Sequence, residues 1–241
     1  MNDTALTRPQ KILIVLGMHR SGTSCLTGSL QQAGLELGEY SDWNPHNLKG
    51  NRENSEIMQL NEQVLNANGG SWDIPPRQEV SWPPALQANA RFILEKYAHH
   101  PFWGFKDPRT IFTLDGWLDL GLKPFYIGIF RHPLAVAGSL MKRSGDALTQ
   151  KQALDMWHAY NERMLERYEQ SPFPLLCFDW PEAIFHAALD KILIDIGLTP
   201  PPVDSRFYTQ ELVHQFGSRT LLPWKVRRLY SRLRKISEHY R

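Results

Sequence analysis

An α/β fold, arranged as a three-layer sandwich with a central, mainly parallel sheet flanked by helices, is predicted by three observations. Lys11-Ile12-Leu13-Ile14-Val15-Leu16 is a short continuous apolar run, the pattern of a parallel strand buried on both faces. A glycine-bounded loop at 17–22 follows at once, and beyond it Cys25, Leu26, Leu30 and Ala33 fall at helical spacing up to Gly34. Strands and helices then alternate along the chain, without internal repeats or low-complexity tracts.

The remaining elements follow in order. The stretch 39–84 is polar and rich in Asn, Trp and Pro, with one helix-like piece over 55–68. It is read as an insertion after the first strand-helix unit, where an α/β sheet places substrate-binding loops. Phe102-Trp103-Gly104-Phe105-Lys106 is a strand ended by Asp107-Pro108, and 125–130 is another. Pro133 suits the first turn of the helix that comes next. Longer helices are predicted over 147–169 and 180–196, flanking a strand at 174–178.

With 241 residues, 42% of them hydrophobic, the chain is long enough for a full core and is read as one domain, 1–241, with a flexible N-terminal tail at 1–10. Two cysteines, Cys25 and Cys177, fall in a core-facing helix position and a buried strand, the usage of a reducing compartment. No apolar run reaches the ~20 residues of a membrane span, and residues 1–10 do not resemble a secretory signal, so a cytoplasmic location is expected. The net charge of +2 is uneven: 225–241 carries +6 and the remainder −4. Trp224, Val226, Leu229, Leu233 and Ile236 recur at helical spacing, so 224–241 reads as a basic amphipathic helix. Such a helix either meets an anionic membrane surface, an acidic polymer or a protein partner, or packs on the core with a solvated basic face. Nucleic acid is not an expected partner.

Gly17-Met18-His19-Arg20-Ser21-Gly22-Thr23-Ser24 carries the chemistry. A nucleotide triphosphatase loop follows G-x-x-x-x-G-K-[ST], with Lys on the outer phosphates and the hydroxyl on Mg²⁺. Both glycines and the final hydroxyl are present here, but Thr23 stands where Lys belongs and Arg20 supplies the positive charge. The order strand, loop, helix makes the sandwich P-loop-type, and the helix start offers unpaired N–H groups to an anion. The same residues also suit an ordinary turn that uses Gly for tightness and Ser/Thr for capping. A second constellation is Arg131, at the carboxyl end of a strand, with Ser139 about two helical turns on. A guanidinium and a hydroxyl so placed can share one phosphate, or Arg131 can simply pair with a carboxylate.

Together these residues resemble the sulfotransferase superfamily, which uses 3′-phosphoadenylyl sulfate as sulfuryl donor and leaves adenosine 3′,5′-bisphosphate. His19-Arg20-Ser21-Gly22-Thr23-Ser24 matches its [PH]-[RK]-S-G-T-[ST] loop, and Arg131 with Ser139 matches its 3′-phosphate pair. Lys49-Gly50-Asn51-Arg52-Glu53, Leu60-Asn61, Gly70-Ser71-Trp72-Asp73 and Lys106-Asp107-Pro108-Arg109 look like the bacterial carbohydrate-type branch. The resemblance implies that Arg20 and the backbone of Ser21, Gly22, Thr23 and Ser24 hold the 5′-phosphate, and that Arg131 and Ser139 hold the 3′-phosphate. It implies no metal, which fits the absent loop lysine, and Lys106 as the group that stabilises the bridging oxygen.

The small-molecule branch uses a His base in a K-x-H segment, but Pro108 stands at that place. By resemblance to the G-x-x-E segment of other branches, Glu53 is the expected base, with Glu56, His46 and Asp73 as competitors and helix capping as an alternative role for Glu53. Lys106 can instead pair with Asp107 or a surface carboxylate, while Asp107 and Arg109 suit an internal salt bridge. Trp43, Trp72 and Trp82 can stack on sugar rings or cover a core edge. The R-K-G loop of the small-molecule enzymes has no counterpart; Arg219 and Lys225 to Arg228 are the substitutes available. The implied acceptor is a hydroxyl of a carbohydrate or glycosylated molecule. Two other classes stay open: a P-loop kinase or NTPase, and a non-catalytic nucleotide-binding scaffold of a glycan-synthesis complex.

Overall fold

The computed structural model describes residues 9–40, 50–145, 147–203, 206–207 and 221–241. Most of the tail at 1–10, the residues Trp43, His46, Lys49 and Arg219, and part of the insertion at 39–84 lie outside the described residues.

Consecutive rather than alternating residues are buried along the strands, because helices cover the sheet on both faces. Four strands, β1 (Lys11–Leu16), β2 (Phe102–Lys106), β3 (Phe125–Phe130) and β4 (Leu175–Cys177), form one parallel sheet in the order β2-β1-β3-β4. The expected fold class is therefore the observed one. The chain steps from β1 to β2 on one side, then returns past β1 to β3 and β4 on the other. That reversal opens a crevice at the carboxyl ends of the strands. Val15 pairs with Lys106 and Leu16 with Gly128, so the three carboxyl ends lie side by side.

The helices are α1 (Thr23–Gln32), α2 (Ser55–Ala67), α3 (Pro84–Lys96), α4 (Thr110–Asp119), α5 (Pro133–Arg143), α6 (Gln150–Gln170), α7 (Glu182–Ile196) and α8 (Trp224–Ser237). The sequence reading did not single out α3 or α4. The predicted 147–169 helix begins later because Thr149 and Gln152 form a capping box. The one predicted from 180 begins at Glu182, after Pro181.

The basic C-terminal helix turns its apolar stripe inward: Val226, Leu229 and Leu233 are buried, and α8 packs on α6 and β4. Trp224 departs from the expected stripe; it is 64% exposed, with the Arg228 guanidinium over its ring. Lys225 and Arg232 pair with Asp155 and Glu169 of α6, so part of the basic face is neutralised within the molecule. Cys25 and Cys177 are buried free thiols. No helix among the described residues is long and apolar enough to cross a membrane.

Candidate active site

The loop between β1 and α1 is built on backbone that few side chains tolerate. Arg20 has φ 66°, a left-handed conformation unusual for a residue with a Cβ, and Gly22 follows with φ 90°. A Cβ on Gly22 would stand 2.2 Å from the Phe178 ring, so both the conformation and the neighbour demand glycine. Left-handed residues leading into a helix start form an anion-binding nest. One detail departs from the sequence reading: the Ser21 N–H donates to the Met18 carbonyl at 3.3 Å and closes the turn. The N–H groups of Gly22, Thr23 and Ser24, at the start of α1, are the ones left for an anion. The Ser21 hydroxyl is buried, with no hydrogen-bond partner.

Three further elements converge on this loop. From the end of β2, Lys106 Nζ donates to Glu53 Oε1 at 2.6 Å and to Ser24 Oγ at 3.3 Å. Lys106 is buried, and Glu53 is 12% exposed at its side chain. The lysine therefore pairs with the candidate base rather than with Asp107. Glu53 does not cap α2, because Asn54 does: its Oδ1 accepts from the N–H groups of Glu56 and Ile57. Glu53 follows Arg52, itself left-handed at φ 53°, so the backbone bends just before the carboxylate.

From α5, Ser139 reaches the loop. Its hydroxyl accepts from Arg20 Nε at 2.8 Å, so Ser139 braces the loop arginine. Arg131 lies over the Phe178 ring at 5.2 Å, and its Nε donates to Asp179 Oδ1 at 3.3 Å, the carboxylate pairing that was the open alternative. Asp179, which the sequence reading missed, also accepts from the His132 N–H at 2.6 Å and so ties the end of β3 to the end of β4.

Beneath Lys106 runs a buried polar network. Arg109 pairs with Asp107 at 2.7 Å and with Glu62, the internal salt bridge expected of this turn. Asn61 Nδ2 donates to Asp107 Oδ2 and Thr110 Oγ1, and its Oδ1 accepts from Thr113 Oγ1 and Trp117 Nε1. Burial pushes the Asp107 carboxyl up to about 6, against the pull of Arg109.

These groups open on a cleft of about 370 Å³ whose lining includes Arg20, Ser24, Glu53, Lys106 and Arg109. His19, Trp72 and Arg143 line it as well. His19 is 9% exposed and packs edge-on against Trp72 and Tyr160; its Nε2 has no hydrogen-bond partner. Burial first, and then the charges of Arg109, Lys106, Arg143 and Arg20, push its pKa well below the usual histidine value, so it is neutral. Tyr160 Oη donates to the Trp72 carbonyl at 2.7 Å and fixes that loop.

The competing carboxylates point elsewhere. Glu56 pairs with Lys96, and Asp73 accepts from Ser71 at the surface. Trp82 is not a sugar platform: it is buried against Trp117 and donates to the Thr113 carbonyl. Trp72 alone among the described candidate tryptophans lines the cleft.

No protein-family model matches the chain, and comparison with curated proteins found no match. Among solved structures, the sulfotransferase domain of the olefin synthase of Synechococcus PCC 7002 has the same fold. It superposes with a TM-score of 0.57 over 94% of this chain and 95% of that one, at 18% identity.

Proposed function

We propose that the chain is a sulfotransferase that moves a sulfuryl group from 3′-phosphoadenylyl sulfate to a hydroxyl of a carbohydrate or glycosylated acceptor. The observation that carries this reading is the Lys106 ammonium, seated between Glu53 and Ser24 of the loop. A buried cation thus touches both the anion cradle and a carboxylate that faces the cleft. The donor-site residues fit an anionic nucleotide on their own geometry: a left-handed Arg20, a helix start with free N–H groups and the orphaned Ser21 hydroxyl. The solved sulfotransferase domain of like fold supports the same class.

The donor brings a sulfuryl group activated by its bond to phosphate. Gly22, Thr23 and Ser24 hold the 5′-phosphate through their N–H groups, with Arg20 braced by Ser139. Arg131, oriented by Asp179, takes the second phosphate. Glu53 accepts the proton of the acceptor hydroxyl as its oxygen bonds to sulfur. Lys106 stabilises the charge that collects on the phosphate oxygen as the S–O bond to it breaks.

Calorimetric titration with adenosine 3′,5′-bisphosphate, beside ATP–Mg and 5′-AMP, tests the reading on wild type, Arg20→Ala and Arg131→Ala. Tight binding of the bisphosphate alone, weakened in both variants, is the expected result. A preference for ATP–Mg, or no binding of the bisphosphate, refutes it.

A further inference from the structure

Of the cations that line the cleft, three are engaged by other side chains. Lys106 is paired with Glu53, Arg109 with Asp107 and Glu62, and Arg20 donates to Ser139. Arg143 stands apart from these: it lies exposed in the last turn of α5, lines the cleft, and makes no hydrogen bond or ion pair among the described residues. It follows Ser139 by four residues, so it projects from the helix face that meets Arg20.

It shares the cleft with the Lys106–Glu53 pair, where an acceptor hydroxyl would meet its base. Arg131, the guanidinium assigned to the donor's second phosphate, is absent from the cleft lining, whereas Arg143 shares that lining with His19 and Trp72. Arg143 and Arg20 carry like charges into one cavity, a positive field that a ligand anion relieves. Trp72, half-buried with its ring edge-on to His19 and its carbonyl fixed by Tyr160, offers an apolar face beside that charge.

We propose that Arg143 and Trp72 form an acceptor subsite for an anionic sugar, one that carries a carboxylate or a sulfate ester near the hydroxyl to be modified. The proposal rests on the sulfotransferase reading for its assignment of this part of the cleft to the acceptor. The Arg143 fork pairs with the anion in bidentate fashion, and the Trp72 ring covers the sugar's apolar face.

The test is calorimetric and uses the full chain saturated with adenosine 3′,5′-bisphosphate. Methyl β-glucuronide, methyl glucoside 6-sulfate and methyl glucoside are titrated into wild type, Arg143→Gln and Arg143→Lys. Both anionic sugars are expected to bind at least about tenfold more tightly than the neutral one. Arg143→Gln abolishes that preference and Arg143→Lys keeps part of it, with bisphosphate affinity unchanged in both. The difference between the two anions tells carboxylate from sulfate recognition. Equal or undetectable binding of all three sugars overturns the proposal, as does a preference that survives Arg143→Gln. Weaker bisphosphate binding in Arg143→Gln also overturns it, by placing the residue in the donor site. Failure of the bisphosphate to bind wild type counts against the sulfotransferase reading instead, and the sugar titrations are then read without it.

Discussion

Lys106 and Glu53 form a nearly dry ion pair, and such a pair is costly unless the contact is close and further hydrogen bonds complete it. Ser24 completes it on one side, which links the pair to the phosphate loop. In the proposed reaction the two groups have separate tasks, so their variants separate as well. Glu53→Gln keeps a hydrogen-bond partner for Lys106 but cannot take a proton. Sulfuryl transfer is expected to fall by about 10²–10⁴-fold with bisphosphate affinity nearly unchanged. Lys106→Met removes the charge opposite the leaving oxygen and is expected to lose about 10²–10³-fold. Single-turnover transfer of labelled sulfuryl, beside calorimetry, measures both; an unimpaired Glu53→Gln would leave Glu53 as a mere partner of the lysine. Each residue was legible in the sequence through the motif around it, yet their contact was not, because 53 residues and two elements separate them. Asp179 was missed since it follows a strand of only three residues and belongs to no motif, although its place at a strand's carboxyl end was a usable signal. Arg143 was legible in principle as the residue four beyond Ser139 on a helix.

Among the elements, α2 does the most to position the chemistry. Asn54 caps it, which leaves Glu53 just outside the helix and directed at Lys106. Asn61, fully buried, joins it to the turn after β2 and to α4 through four hydrogen bonds. A buried asparagine with every bond made specifies one docking of these elements, and its loss strands several partners at once. Asn61→Leu is expected to lower stability by about 3 kcal/mol in urea unfolding and to weaken transfer through the displaced Lys106. A loss below about 1 kcal/mol would show that the network is not what holds α2. The strands were legible because continuous apolar runs bounded by Gly or Pro have few other uses. The helices α3 and α4 were not: one begins at Pro84 inside a stretch read as an insertion, the other directly after Pro108-Arg109 in a segment apolar on most sides.

At the scale of the whole molecule, the topology gathers cations and their paired carboxylates beside the carboxyl ends of three strands, and this leaves a mark on stability. The His19 pKa is depressed in the fold, so between that value and about 6.5 the unfolded chain binds the extra proton. Its contribution is fully present above about 6.5 and is lost as pH falls. Asp107 runs the other way: its folded pKa is raised to about 6 from the ordinary 3.8 of an aspartate, so the folded chain is favoured by acid and loses that advantage as pH rises from about 4 to about 6. The two slopes oppose each other between about pH 4 and 6, and wild type is expected to show a shallow dependence there. Substitution separates them. Relative to His19→Phe, wild type should lose up to about 1.4 kcal/mol per pH unit below 6.5. Relative to Asp107→Asn, wild type should instead gain stability as the pH is lowered from 6 toward 4. Urea unfolding of the three proteins from pH 4 to 8 measures both differences. Parallel curves would mean that neither group titrates differently in the fold, and that the cleft is solvated well enough to leave His19 with an ordinary affinity for protons.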